Sequence, residues 1–155
     1  MLDQLRETGS PSEERTLGPS ERRDVSNVVF DASAFQLGRA LFGGILAFLA
    51  IDNLRNLEER VQYAEAKGAP APDLTVPGVS TGLLFGSVGL ALWRLPRASA
   101  TAVAGFFLGV TPLMHDFWNA EDDAEQQQEI IQFMKNGALF GAALVFLQLG
   151  RERDE

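Results

Sequence analysis

Three pairs of polar residues interrupt long apolar stretches of this chain: Asp52 and Asn53, His115 and Asp116, and Lys135 and Asn136. A carboxylate next to a lysine in a partly desolvated setting can form an ion pair or pass a proton, and an imidazole titrates near neutrality. Asp116 or Asp52 is the expected partner of Lys135, and His115 or Lys135 is the expected donor to a ligand carbonyl. Phe117, Trp118 and Phe133 adjoin these groups in sequence and would supply apolar walls. Donors for carbonyl oxygens beside an apolar slot suit a quinone or a lipid headgroup. The plainer alternative is a set of interfacial caps and ion pairs that only fix helix ends.

What must position these residues is read from the blocks between them. Apolar stretches run over about 34–51, 76–93, 98–114 and 130–149. Each matches about 30 Å of hydrocarbon at 1.5 Å per helical residue. A soluble bundle would show a polar stripe at every third or fourth position, and none of the four blocks has one. The fold class is therefore all-α, an integral membrane four-helix bundle. It fills residues 31–150 as one domain, between a disordered tail at 1–30 and a short tail at 151–155. The first tail is rich in Ser, Pro, Gly, Glu and Arg and cannot bury enough surface to offset ordering entropy. It lacks the apolar run of a signal peptide, so the first span stays attached.

All polar pairs named above fall at one end of this bundle. At the other end the charges are arginines: Arg22 and Arg23 before the first span, Arg94 and Arg97 in the tight second connection, Arg151 and Arg153 after the last span. The positive-inside rule then places both chain ends in the cytoplasm of a multi-pass cell-membrane protein. Arg39, the one charge in the first span, lies close enough to its start to snorkel. Trp93 and Trp118 are expected at opposite interfaces, as aromatic belts require.

The outer loops carry weaker signals. Leu54, Leu57, Val61 and Ala64 share a helical face that ends at Lys67 and Gly68, before Pro70 and Pro72, which predicts a short amphipathic surface helix. Asn119 followed by Glu121, Asp122 and Asp123 reads as an N-cap with acid in the first turn, which predicts a second surface helix leading into the last span. Small residues at four-residue spacing, Ala40 and Gly44, Gly82 and Gly86, Gly105 and Gly109, Gly137 and Gly141, are expected at close helix crossings.

Composition excludes several functions. With no cysteine and one histidine, thiolate chemistry, disulfides and cysteine-ligated clusters are ruled out, and no metal site is expected. A net charge of −8 argues against nucleic acid as a partner. The acidic, lysine-poor balance is the one found in halophilic proteins. No cofactor motif is evident, neither a flavin or dinucleotide glycine motif nor a haem-ligand pair.

The pieces PLMHDFW (Pro112 to Trp118) and QFMKNGALFGAAL (Gln132 to Leu144), with GRALFGGILAF and YAEAKGAPAP before them, resemble the DoxX family of small four-span membrane proteins, in a haloarchaeal-type form. The resemblance covers about residues 35–149. It implies an accessory or anchoring subunit of a membrane redox system linked to the quinone pool, with the bilayer, a redox protein or further copies of the chain as partners and no catalysis of its own. Many members carry a histidine shortly after the first span, where this chain has Arg55 and Asn56. A mechanism needing two histidines lacks one here. The other readings are a quinone- or lipid-binding protein with its site at the outer helix ends, and a structural membrane stress protein.

Overall fold

Once water is withdrawn, an apolar segment can satisfy its backbone only by coiling on itself. The computed structural model describes residues 18–154. Their regular elements are helices: α1 (Pro19–Asp31), α2 (Ser33–Arg55), α3 (Leu57–Ala66), α4 (Pro72–Ala91), α5 (Pro96–Met114), a 3₁₀ turn (Phe117–Asn119) and α6 (Asp123–Asp154). Four of them, α2, α4, α5 and α6, are long and apolar enough to cross a membrane. They pack in chain order, α2 on α4, α4 on α5 and α5 on α6. Near the end that carries the described termini, Phe42 and Phe146 bring α2 and α6 together, ring centroids 5.1 Å apart.

The distribution of exposure fits a lipid environment. Leu37, Leu41, Ile45 and Phe48 of α2, Phe85 of α4, Leu108 of α5 and Val145 of α6 all point outward. The buried core centres on Leu46, Ala50, Leu83, Leu90, Ala100, Val103 and Ala143, with Trp93 and Phe107 beside them. Against lipid tails, burial of apolar area gives little driving force, and close packing of small residues supplies the attraction instead.

Which small residues do this differs from the expected set. A Cβ added at Gly44, Gly105, Gly109, Gly137 or Gly141 would meet nothing within 4 Å, and the same holds for Gly82. Ala40 is exposed. Of that set Gly86 stands at a crossing, where a Cβ would come 2.9 Å from the Ser99 carbonyl oxygen. The tightest approaches are at Gly43, against Ser87 and Ala91, and at Gly89, and Gly150 is also closely approached. Four-residue spacing defines a stripe but not its rotation about the axis, and one residue of error turns the stripe by about 100°.

The tail and loops also depart from expectation. Residues 1–17 of the expected disordered tail lie outside the described residues, but 19–31 form α1. Pro19 starts this helix, the Glu21 carboxylate accepts from the Gly18 amide at 3.0 Å, and Phe30 packs on Phe35 and Trp93 at the far end. At the other end of the chain α6 runs on through 151–154. Its start is not at Asn119: the Asp122 carboxylate caps the helix by accepting from the Glu125 amide at 2.8 Å. No separate surface helix precedes it, and the acidic turns belong to one helix of 32 residues.

Trp93 does not project outward as a belt residue would. It is 8% exposed, inside an aromatic group with Phe30, Phe35 and Phe146. The turn between α4 and α5 puts both Trp93 (φ 54°) and Leu95 (φ 48°) in the left-handed region. That region costs a non-glycine residue about 1–2 kcal/mol. The turn is held by the Arg94 amide donating to the Gly89 carbonyl at 2.7 Å and by the Arg153 guanidinium donating to the Trp93 carbonyl.

Candidate functional site

At the loop end, three separate segments deliver four polar groups to one place. The amphipathic α3 is shorter than a free surface helix would need to be, and it docks on α4 by burying Ala64 completely. Docking presents Lys67, its last capping residue, to the end of α5. There the helix stops at Met114 and the chain turns through His115 and Asp116. The second turn of α6 adds Glu129.

The Lys67 ammonium donates to Asp116 Oδ1 at 2.8 Å and stands 3.9 Å from Glu129 Oε1. Glu129 Oε2 in turn lies 2.8 Å from Nδ1 of His115. Asn119 donates to the second Asp116 oxygen at 3.1 Å, and the Tyr63 hydroxyl reaches the Met114 carbonyl at 3.4 Å. All four charged or titratable side chains are about one-fifth exposed, between 16% and 21%. With His115 neutral, its Nδ1–H donates to Glu129, and the lattice carries two carboxylates against one ammonium.

The Asp116 carboxylate that accepts its hydrogen bond raises the Lys67 pKa above the ordinary 10.5, while partial burial works the other way. A lysine whose pKa is raised on folding contributes stability that is complete below the unfolded value and lost as pH climbs through the folded one. The stability difference between the wild-type chain and Lys67→Met should therefore be constant at neutral pH and shrink only above about pH 10.5. Thermal unfolding in detergent across alkaline pH checks this, and a difference already falling between pH 7 and 9 would contradict it.

A family model described as DoxX matches residues 34–116. The chain belongs to the DoxX family. The matched segment takes in α2 to α5 and ends on the His115–Asp116 turn, so two of the four lattice residues close the match. No curated protein and no solved structure matches the chain.

The DoxX chain does not bring all the expected site residues together. Asp116 pairs with Lys67, not with Lys135. Lys135 is exposed and borders a shallow recess of about 420 Å³ lined by Gln128, Ile131 and Gln132 among others, all on α6. The reason is helical phase: Lys135 is six residues beyond Glu129, which turns it about 240° away from the lattice. Asn136 is half-buried beside it. Asp52 pairs with Arg60 at 3.0 Å, in a separate and more exposed contact between α2 and α3.

Phe117, Trp118 and Phe133 do converge. They pack edge to face on one another, with centroids 5.1, 5.4 and 6.4 Å apart, Phe117 and Trp118 from the turn after α5 and Phe133 from α6. Among the described residues no group of three or more His, Asp or Glu is placed to hold a metal ion. Lys67 and Glu129 are the lattice members that sequence reasoning missed. A usable signal existed for Lys67, since it is one of two lysines in the chain and follows a helix whose apolar face had to dock.

Proposed function

We propose that this DoxX protein is an accessory membrane subunit of a redox system at the quinone pool. The observation that supports this best is the loop-end lattice. Lys67, Asp116, His115 and Glu129 lock three loop segments into one rigid face. Exposed Glu121, Asp122, Asp123 and Glu125 surround it. A preorganised charged face on a membrane anchor suits docking of a partner by electrostatic steering. In this reading Arg94, Arg97, Arg151 and Arg153 at the opposite end keep both termini cytoplasmic, and the acidic surface follows a high-salt habitat.

One experiment tests both partner and orientation. The chain has no cysteine of its own, so a cysteine replacing exposed Gln127 can be modified in intact cells with a membrane-impermeant maleimide photo-cross-linker. The expected product is a cross-link to a protein that carries a redox cofactor. Labelling without any cross-link under oxidising and reducing conditions alike counts against the accessory role, and no labelling in intact cells counts against the orientation.

A second reading rests on the aromatic group next to His115: a quinone or lipid headgroup seated against Phe117, Trp118 and Phe133, with His115 as donor. Added quinone should then quench tryptophan fluorescence in the wild type, and His115→Ala should abolish the quenching. An unchanged titration would sink this reading.

A further inference from the structure

The end of the bundle that carries the termini holds a second polar group, which the loop-end lattice leaves unexplained. Arg39 lies about 9 Å along α2 from its start. It is half-buried. One guanidinium nitrogen donates to the Ala91 carbonyl at 3.2 Å. The guanidinium carbon is 5.9 Å from the ring centroids of both Phe35 and Trp93. No carboxylate pairs with Arg39 among the described residues.

Two N–H donors here are buried without an acceptor among the described residues: Nε of Arg39 and Nε1 of Trp93. Trp93 is itself more than nine-tenths buried. Neither donor is incidental to a flexible surface chain. Trp93 is fixed by rings on three sides and by the Arg153 bond to its carbonyl. Buried polar groups in native proteins find partners, because leaving one unpaired forfeits its full hydration. A group made only of donors, one of them a charged guanidinium, calls for an oxygen-rich anion.

We propose that Arg39 and Trp93 form a recognition site for a phosphate group, that of an anionic phospholipid headgroup in the adjacent leaflet. Depth favours the lipid as the source. Arg39 stands one to two helical turns inside the end of the span, where a headgroup phosphodiester can be met by a snorkelling arginine. Arg94, Arg97 and Arg153 at the same end add an attractive field for anions. The indole N–H supplies direction, the guanidinium charge, and Phe35 an apolar flank for the upper acyl chain. This proposal stands apart from the redox reading, since it concerns the opposite end of the molecule.

The test uses the full chain in neutral detergent micelles, with native mass spectrometry to count retained lipid and thermal unfolding to read its effect. Phosphatidylglycerol, phosphatidylcholine and inorganic phosphate are the three probes. The expected result is one phosphatidylglycerol retained, with affinity at least about tenfold above that of phosphatidylcholine, whose choline ammonium cancels the phosphate charge and is repelled by the guanidinium groups. Arg39→Gln should remove that preference. Trp93→Phe deletes the indole donor while keeping an aromatic ring among Phe30, Phe35 and Phe146, so it should weaken retention by a smaller factor and remain folded if Arg39→Gln does not. Equal retention of phosphatidylglycerol by wild type and Trp93→Phe, or equal retention of both lipids, overturns the site. Stabilisation by inorganic phosphate equal to that by phosphatidylglycerol overturns the lipid as its source.

Discussion

Gly43→Ala should destabilise the protein, and Gly44→Ala, one residue on, should not. A Cβ at Gly43 would collide with the Ser87 carbonyl oxygen and lie 2.8 Å from the Ala91 nitrogen and 2.9 Å from the Ala91 Cβ, all parts of the facing helix α4 and two of them backbone. Backbone cannot rotate out of the way, so α2 and α4 must separate. Overpacking of this kind costs about 1–3 kcal/mol, more than the roughly 1 kcal/mol that alanine gains over glycine in a helix. Gly43→Leu should cost more still. At Gly44 the added methyl meets nothing within 4 Å, and only the propensity gain remains. Melting temperatures of the three variants in one detergent decide the matter. Equal shifts for Gly43→Ala and Gly44→Ala would mean that the crossing is not where the structure places it.

The second large effect is expected at Lys67 and Asp116. Exposed ion pairs contribute about 0–1 kcal/mol, whereas removing one member of a buried pair costs about 3–5 kcal/mol. With side chains 20% and 21% exposed, this pair lies between those limits. A double-mutant cycle with Lys67→Met and Asp116→Asn should give a coupling of about 1–2 kcal/mol that survives added salt. Asp116→Asn alone should cost less than full burial would suggest, because Glu129 at 3.9 Å still offers the ammonium a carboxylate. Lys135→Met is the control, with a change within about 0.5 kcal/mol for an exposed side chain. A coupling that vanishes in salt, or a larger loss at Lys135 than at Lys67, would return the lattice to ordinary surface decoration.

The spans and the location of the site at one bundle end were legible in the sequence, because both follow from hydropathy and from chain order. The end of the loop helix was legible at Lys67 and Gly68, but the starts of α4 at Pro72 and α5 at Pro96 lie before the expected 76 and 98, and in the acidic loop Asn119 and Asp122 are both plausible caps. Partner choice was not legible. Lys67 and Lys135 fall at similar depth, and only the phase of α6 and the docking of α3 through Ala64 decide which one meets Asp116. The same limit misplaced the packing glycines, since Gly43 and Gly44 are indistinguishable until the neighbouring helix is present. Helix α1 was missed because its own composition is polar. Its order comes from a cap at one end and Phe30 at the other, a contact with residues more than sixty positions away.

Helix α6 fully buries only Ala143 and Gly150, two residues with almost no relief, while Leu139, Phe140, Phe146, Leu147 and Leu149 pack half-buried against the core. At Ala143 and Gly150 themselves the surface is smooth and specifies mutual rotation weakly, because no ridge has to leave a groove there when one helix turns. Glu129 at one end and Arg153 at the other, about 36 Å apart along the axis, are both tied to groups outside the helix, to His115 and to the Trp93 carbonyl. Two anchors on one rigid rod fix its angle as keys fix a shaft. The last span thus takes its rotational register from polar bonds at its tips as well as from the half-buried rings and leucines along its length.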